Sequence, residues 1–378
     1  MTQNAYIHIP FCKSKCNYCS FVSFPELKFK EQYLAALISQ IKSEYKGETL
    51  NTLYFGGGTP SILTLDEFKT LIELFNFEKD AEITTEVNPD SVDFEYLQGL
   101  RQLGINRISI GSQSFDDEIL KLIGRRHNSE QIKSAVNYAK NAGFANISLD
   151  FIYGLPTQTL QSFESDLKTA IDLGVQHISL YGLKIEEGCY FYKNQPEEIA
   201  DLDEQADMYL KAIETLKTAS FEHYEISNFS KCEHHCDPES SSGRRVSSLN
   251  SRHNLNYWDN NSYYGFGCSA SGYTDGIRYT NQDELAQYIT SPLSKIYEQQ
   301  LSESEILEES IFLGFRKLSG INTNEINQKF GIDFNKKYAK ILDKFLETGH
   351  FIKTEKGYAL STEGVLVSNE ILSEFITL

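Results

Sequence analysis

Apolar and polar residues follow two different periodicities along the first two hundred positions of this chain. Short strand-like segments alternate with longer segments whose apolar residues recur every three or four positions, as on one face of a helix. The predicted strands cover residues 5–9, 52–55, 82–87, 107–110, 146–152 and 177–183, and the predicted helices cover residues 30–45, 65–75, 91–103, 130–142 and 163–173. Such alternation predicts parallel strands joined by right-handed crossovers. The expected fold class is α/β, with residues 1–230 forming an open, partial (β/α)6 barrel.

The remainder of the chain divides into three segments. Residues 231–252 are polar, rich in serine and without periodicity, which predicts a surface loop. Its run Cys-Glu-His-His-Cys at 232–236 is open to two explanations, a metal site or a mobile insertion, and the lack of a partner motif favours the insertion. Residues 253–302 form a connector. Residues 303–378 predict a small α+β domain of winged-helix type, with helices at 305–317, 323–330 and 337–348 before a hairpin at 351–360.

Composition and charge narrow the class of protein. The chain has 378 residues, enough for one large domain and a smaller one. Its 53 acidic and 35 basic side chains give a net charge of −18, which disfavours a nonspecific grip on nucleic acid. The sequence shows neither a basic, apolar leader nor a run of about 18 apolar residues, so we expect no signal peptide and no membrane span. Seven cysteines fit a reducing compartment, and the expected location is the cytoplasm.

Three cysteines near the N-terminus carry the strongest chemical signal. Cys12, Cys16 and Cys19 have the spacing C-x3-C-x2-C, which gathers three thiolates and stops one short of four. Thiolates suit iron–sulfur clusters and zinc. A [4Fe-4S] cluster held by three cysteines leaves one iron open to a small chelating ligand. A structural zinc site completed by a distant His or Cys, or three unrelated buried thiols, would explain the same residues.

A glycine-rich turn follows the second predicted strand. Gly56, Gly57, Gly58, Thr59 and Pro60 come directly after Thr-Leu-Tyr-Phe, and such a turn lets backbone N–H groups approach a ligand closely. In a parallel sheet this turn and the cysteine loop lie at the same end of neighbouring strands. Together the two motifs resemble the radical S-adenosylmethionine (SAM) superfamily, and within it the oxygen-independent coproporphyrinogen III oxidase group. The resemblance weakens the zinc and chance explanations, and it implies the same partial barrel and C-terminal domain.

The resemblance also implies roles for residues at the strand ends. Cys12, Cys16 and Cys19 would bind a [4Fe-4S] cluster, and SAM would bind its open iron. The residues implied to surround SAM are Tyr6, Tyr18, Gly57, Gly58, Thr59, Glu86, Gln113, Arg125 and Asp150. Packing in the core explains Tyr6 and Tyr18 equally well. A charged residue that closes an apolar strand, as Asp150 does, more often belongs to a site or pairs with a base.

A second motif, HN-x-x-YW, begins at His253 and holds the only tryptophan of the chain. A neutral imidazole is a suitable heme ligand and an indole offers a flat surface for a porphyrin, so His253 is a candidate for binding heme. A structural histidine buried by Tyr257 and Trp258 is the equally weighted alternative. His8 is a further candidate neighbour of a porphyrin, with the same alternative. The family commonly has a histidine where this chain has Ser271, which puts a contact from that position in doubt.

Two features favour a heme chaperone over the oxidase. The oxidase motif carries a fourth cysteine two residues after the third, where this chain has Phe21, and its N-terminal arm is longer than the five residues that precede Tyr6 here. We therefore expect a protein that binds a [4Fe-4S] cluster, SAM and heme and passes heme to acceptor proteins such as respiratory cytochromes. Oxidative decarboxylation of coproporphyrinogen III and radical SAM methylation are the alternatives. Other expected partners are an electron-donor protein and a second copy of the chain in a homodimer.

Overall fold

The computed structural model describes residues 2–232 and 249–376, and its centre is a sheet of six parallel strands. The strands are β1 (Asn4–Ile9), β2 (Thr49–Gly57), β3 (Asn76–Val87), β4 (Arg107–Gln113), β5 (Asn146–Tyr153) and β6 (His177–Gly182). They pair in chain order, each parallel to the next. The helices that occur between them in the chain are α1 (Lys30–Glu44), α2 (Leu65–Ile72), α3 (Phe94–Gln102), α4 (Asp117–Leu122), α5 (Ser129–Asn141) and α6 (Leu160–Asp172). The predicted α/β class and partial (β/α)6 barrel are confirmed.

Side-chain caps decide where several of these helices begin. At α2 the hydroxyl of Thr64 accepts from the N–H of Glu67 while the Glu67 carboxylate accepts from the N–H of Thr64, so two otherwise unpaired N–H groups are satisfied. Asp93 caps α3 in a similar place and Thr159 caps α6. These caps put the start of α3 three residues later, and that of α6 three residues earlier, than hydrophobic periodicity alone predicted.

Each central strand buries apolar side chains on one face and polar side chains on the other. Ile7, Phe55 and Ile108 are fully buried in one apolar core with the surrounding helices. The opposite face lines the lumen of the barrel, where Ser109 of β4 donates to both carboxylate oxygens of Asp150 on β5, at 2.9 Å. Burying a large apolar side chain contributes roughly 1.5–3 kcal/mol, so the outer face stabilises the fold. The lumen is therefore the polar side of the sheet.

Further strands extend both edges of the sheet. After α7 (Tyr190–Lys193) and α8 (Leu202–Thr218), the antiparallel pair β7 (Phe221–Glu225) and β8 (Asn228–Lys231) joins β6. After α9 (Arg252–Trp258), the strand β9 (Tyr264–Phe266) pairs in parallel with β1. The chain then forms a three-stranded antiparallel sheet from β10 (Ser271–Thr274), β11 (Ile277–Asn281) and β12 (Lys295–Gln300), with α10 (Leu285–Thr290) between the last two.

The predicted connector therefore contributes to the main sheet. Periodicity did not reveal β9 because the strand is only three residues long. Most of the loop predicted at 231–252, including residues 233–236 of its Cys-Glu-His-His-Cys run, lies outside the described residues. The boundaries proposed at 230 and 253 stay predictions.

The C-terminal segment forms a second apolar core of its own, around Phe315, Phe334 and Phe375. Its elements are α11 (Glu303–Gly314), β13 (Ile321–Asn322), α12 (Thr323–Phe330), α13 (Phe334–Lys337), α14 (Ala339–Glu347), β14 (Phe351–Lys353), β15 (Gly357–Leu360), α15 (Thr362–Leu366) and α16 (Ser368–Ser373). The helix predicted at 337–348 is divided at Tyr338, where the backbone leaves helical geometry. Backbone hydrogen bonds join this domain to the barrel next to β7, including one from Leu318 N–H to the carbonyl of Tyr224 at 3.1 Å. None of the helices in the described parts of the chain has the length and apolarity that a membrane crossing requires.

Candidate functional site at the carboxyl ends of the strands

The cysteine loop starts at Pro10, directly after β1, and backbone hydrogen bonds close it. The N–H of Cys12 donates to the carbonyl of Phe24 at 3.1 Å, and the N–H of Phe24 donates to the carbonyl of Pro10 at 2.7 Å. Cys12, Cys16 and Cys19 are all partly buried. Burial raises the pKa of the Cys19 thiol to about 11, and the two neighbouring thiols act in the same direction.

The three sulfur atoms are neighbours that do not converge on one point in this arrangement. Within residues 2–232 and 249–376, no three His, Cys, Asp or Glu side chains are placed as a ready ligand set for a metal ion. The spacing in the sequence puts the three thiols on one short loop. Binding of a metal group would bring the three sulfur atoms together.

An arginine in the loop between α4 and α5 reaches the thiols. Arg125 donates to the Cys16 sulfur at 3.4 Å, and its Nη2 donates to Asn88 Oδ1 and to the carbonyl of Gly111, both at 2.7 Å. Asn88 in turn donates to Thr59 Oγ1 at 3.0 Å, and the Thr59 hydroxyl shares a hydrogen bond with the Cys12 sulfur, 3.4 Å away. A cation beside a thiol favours the thiolate, the form that binds metals.

Glu86 lies at the end of β3 and accepts hydrogen bonds from two sides. The Tyr54 hydroxyl donates to Oε1 at 3.0 Å, and the N–H of Gly57 donates to Oε2 at 3.2 Å. Burial, aided by the charge of Asp150, raises the pKa of Glu86 to about 7. Position 57 requires glycine, since its φ is +115° and a Cβ there would lie 2.6 Å from the His8 ring. The turn can therefore bring an amide against a buried carboxylate.

Other predicted residues occupy the same end of the barrel or the lumen below it. A Cβ on Gly58 would lie 2.7 Å from the carbonyl oxygen of Phe11, so glycine is also needed where β2 meets the cysteine loop. Gln113 ends β4 at a φ of 65°, a left-handed conformation that non-glycine residues adopt mainly at special sites. Burial raises the pKa of Asp150, and serine hydroxyls that donate to it oppose the effect. Burial also raises the pKa of Tyr18, against the charge of Arg125.

The structure thus joins four predicted residues, Cys12, Cys16, Thr59 and Arg125, into one hydrogen-bonded set. Glu86 and Gly57 form a second, adjacent set, and Asp150 belongs to a cluster of serines in the lumen. Sequence analysis did not include Asn88, which connects Arg125 to Thr59, or Tyr54, which binds Glu86. Asn88 could have been predicted from the run Glu-Val-Asn-Pro. A polar residue directly after a strand lies at the edge of the sheet where the neighbouring turns meet, and it is therefore a candidate for the site.

His253 lies near the amino end of β1, on α9. Its ring stacks on Tyr54 at 5.1 Å, its Nδ1 is 2.7 Å from Thr52 Oγ1 and its Nε2 is 2.8 Å from the Tyr257 hydroxyl. Because Thr52 donates its own proton to Asn4, Nδ1 of His253 carries the ring proton and Nε2 accepts from Tyr257. Burial lowers the pKa of His253 to about 3, so the ring is neutral. With 1% exposure and both nitrogens engaged, this geometry fits a structural histidine, and heme binding by His253 stays a prediction.

His8 is engaged in the same manner. Its Nε2 is 3.1 Å from the carbonyl oxygen of Val22, which can only accept, so Nε2 carries the proton. Its Nδ1 then accepts from the Tyr6 hydroxyl at 3.0 Å. Both ring nitrogens are used within the protein, and a porphyrin contact from His8 also stays a prediction.

The side chains at the carboxyl ends suit a [4Fe-4S] cluster and SAM by their chemistry. Three thiols lie beside one guanidinium, whose Nε atom is buried without a hydrogen-bond partner among the described residues. A further acceptor such as a ligand carboxylate would satisfy that atom, and Glu86 would accept from an ammonium group. When bound, the cluster would supply an electron and one open iron.

Comparison with known proteins shows the family to which the chain belongs. Residues 6–170 match the family model of the radical SAM superfamily, and residues 301–367 match that of the HemN C-terminal domain. Heme chaperone HemW of Lactococcus lactis subsp. lactis (strain IL1403) is 34% identical, over 99% of this chain and 97% of its own. Heme chaperone HemW of Bacillus subtilis (strain 168) is 32% identical, over 99% of both chains. The fold resembles that of coproporphyrinogen III oxidase (HemN) from Escherichia coli, with a TM-score of 0.83 at 24% identity over 100% of this chain and 90% of that one.

The fold and the cysteine site define a radical SAM protein with a HemN-type C-terminal domain. Identity to the curated relatives over almost the whole length goes further. The chain belongs to the heme chaperone HemW family.

Proposed function

We propose that this protein is a heme chaperone that carries a [4Fe-4S] cluster and SAM at the carboxyl ends of its barrel strands and delivers heme to acceptor proteins. Cys12, Cys16 and Cys19 bind the cluster. The SAM-binding residues are Tyr6, Tyr18, Gly57, Gly58, Thr59, Glu86, Gln113, Arg125 and Asp150. The acceptors are proteins such as respiratory cytochromes, an electron-donor protein reduces the cluster, and two copies of the chain form a homodimer in the cytoplasm.

The observation that carries this proposal is the contact of Arg125 with Cys16. It puts a partly buried cation beside a set of three thiols that lacks a fourth, and the same arginine donates to the side chain of Asn88 and to the backbone carbonyl of Gly111. A structural zinc site needs four protein ligands. The position where the oxidase motif has a fourth cysteine holds Phe21, which is 67% exposed and offers no ligand atom.

The test is anaerobic reconstitution of the full chain with iron and sulfide, followed by two assays on one sample. The first titrates ferric heme and follows the Soret band, and the second supplies coproporphyrinogen III with SAM and a reductant. We expect a four-iron cluster, a saturable heme complex and no protoporphyrinogen IX. Formation of protoporphyrinogen IX would establish the oxidase instead, and absence of a saturable heme complex would remove the chaperone function.

Delivery is tested by adding a heme-free cytochrome to the heme-loaded protein. We expect the heme spectrum of the cytochrome to appear at a rate that depends on the chaperone. Heme that leaves at the same rate whether or not an acceptor is present would contradict delivery.

A further inference from the structure

A cavity of about 600 Å³ lies beside the C-terminal end of α9, where the barrel meets the C-terminal domain. Its walls come from α9, from β12 of the three-stranded sheet and from α11 of the C-terminal domain, and we call it the junction cavity. Sites for cofactor-sized ligands usually enclose about 300–1,000 Å³. The cysteine loop contributes nothing to its lining, so it is separate from the cluster site.

Five aromatic rings line the junction cavity. Tyr257 and Trp258 come from the end of α9, Tyr263 from the loop after it, Tyr297 from β12 and Phe312 from α11. The rings of Tyr257 and Tyr263 pack edge to face at 4.6 Å. Flat aromatic walls bind flat conjugated ligands over a large area with little loss of side-chain entropy. The ligand that fits by size and shape is a porphyrin.

Three carboxylates line the junction cavity, on Glu305, Glu308 and Glu309, and those of Glu305 and Glu309 are paired within the protein as follows. Glu309 accepts from Arg278 through both oxygens, the closest contact being 2.8 Å. Glu305 accepts from the N–H of Ser302 at 2.7 Å, where it caps α11, and from Gln299 at 2.7 Å. These contacts hold both carboxylates at the walls and reduce their repulsion of an anionic ligand.

The side chains of the lining offer oxygen atoms as ligands for iron. In the part of the chain that the structure describes, no His, Cys or Met lines this cavity. His253 lies behind Tyr257, with its Nε2 held by the Tyr257 hydroxyl. Burial raises the pKa of Tyr263, and Arg278, whose Nη1 donates to the Tyr263 hydroxyl at 3.4 Å, opposes that rise and favours the phenolate. Tyrosinate is an established protein ligand of heme iron.

We infer that the junction cavity is the heme site of this protein and that Tyr263 supplies the iron ligand, with Arg278 holding its hydroxyl. This inference rests on the proposed function, since it names where the delivered heme is carried. It assigns the HN-x-x-YW motif two separate tasks: His253 closes the barrel, while Tyr257 and Trp258 wall the heme cavity.

The test is ferric heme titration of the reconstituted full chain, with absorption and resonance Raman spectra of the complex. We expect a phenolate-to-iron charge-transfer band in the unchanged protein. Tyr263→Phe should remove the band and weaken heme binding by about tenfold or more. Asn261→Trp adds bulk from an exposed position of the lining and should weaken binding by a similar factor even if Tyr263→Phe folds poorly. The matched control is Tyr273→Phe, whose ring also lies under Arg278, at 4.1 Å, but does not line the cavity.

Three outcomes overturn the inference. A histidine-type spectrum that disappears only in His253→Ala would move the ligand to that residue. Unchanged affinity in both Tyr263→Phe and Asn261→Trp would place heme elsewhere while leaving the chaperone function intact. Absence of any saturable heme complex in the unchanged protein would remove the function and the site together.

Discussion

The two ends of the barrel lumen use similar polar side chains in opposite ways. At the carboxyl end, three partly buried thiols and an arginine with one unpartnered buried nitrogen leave bonding capacity unused. At the amino end, the carboxylate of Glu82 accepts from the N–H groups of Arg252 and His253 and His253 bonds through both ring nitrogens, while Arg107 Nε and Asn256 Nδ2 are buried there without a hydrogen-bond partner among the described residues. The first end is arranged to receive a ligand, whereas the second is arranged to hold α9 against the sheet.

The difference shows how a motif can be misread when only its residue types are known. A cysteine triad and a histidine beside a tryptophan both suggest cofactor binding. The two motifs differ in how fully their hydrogen bonds are satisfied within the protein. A buried polar group whose donors and acceptors are all paired has little capacity left to bind a ligand. The predictions below test that difference, beginning with the largest expected effect.

Replacing any one cysteine of the triad should abolish the cluster. Cys12→Ala, Cys16→Ala and Cys19→Ala each leave two thiolates, too few to hold a four-iron cluster. We expect iron and sulfide contents near zero after anaerobic reconstitution. The control is Cys268→Ala, since that buried thiol donates to the carbonyl of Asp283 at 3.3 Å and its loss should leave the iron content unchanged. A full cluster in a triad variant would show that the replaced cysteine is not a ligand. It would also remove the contrast between the two ends of the barrel.

Replacing Arg125 should weaken SAM binding by about 10- to 100-fold, because hydrogen bonds to a charged group are worth about 1.5–3 kcal/mol. Arg125→Met removes the contacts with Cys16 and Asn88, and equilibrium dialysis against labelled SAM measures the result. The matched control is Arg101→Met, which loses a bond of 3.3 Å from its exposed side chain to the carbonyl of Gly143 and should bind SAM normally. Equal affinities of the two variants would contradict the assignment of Arg125.

Replacing His253 should lower stability rather than cluster or SAM binding. His253→Ala leaves the Tyr257 hydroxyl and Thr52 without their buried partner, which should cost ~2–4 kcal/mol and lower the thermal midpoint by several degrees. His350→Ala is the control, because that ring bonds only the nearby Thr348 hydroxyl, at 2.7 Å, near the surface of the C-terminal domain. An unchanged midpoint combined with lost heme binding would show that the amino end is itself a ligand site.

The smallest effect concerns the protonation of Glu86. Its pKa is raised from 4.5 to about 7, so between these values the folded protein holds a proton that the unfolded chain has lost, and stability falls as pH rises through the window. An ammonium group at Glu86 favours the carboxylate, so SAM binding at pH 6 should release close to one proton. Calorimetry in two buffers of different ionisation enthalpy measures this release, and Glu86→Gln should abolish it. Equal release by both proteins would place the ammonium elsewhere.

Much of the core could be predicted because its signals are local. Each central strand is marked by its own apolar run, and the cysteines and the glycine turn follow strand ends directly. Elements that depend on distant partners were missed. The strand β9 has three residues and exists because β1 offers an edge, and the division of the predicted helix 337–348 at Tyr338 follows from packing around Phe334 and Phe375.

The amino-acid sequence alone was sufficient to predict a parallel α/β barrel and a set of three cysteines without a fourth. It also indicated the superfamily that has both features. These depend on periodicity and spacing, which are properties of neighbouring residues. Only the folded chain decided that Asn88 connects Arg125 to Thr59, that His253 is enclosed by Thr52 and Tyr257, and that aromatic rings from three distant segments enclose one cavity. Such arrangements depend on which side chains meet across hundreds of positions, and burial and hydrogen bonding determine that only when the whole chain has packed.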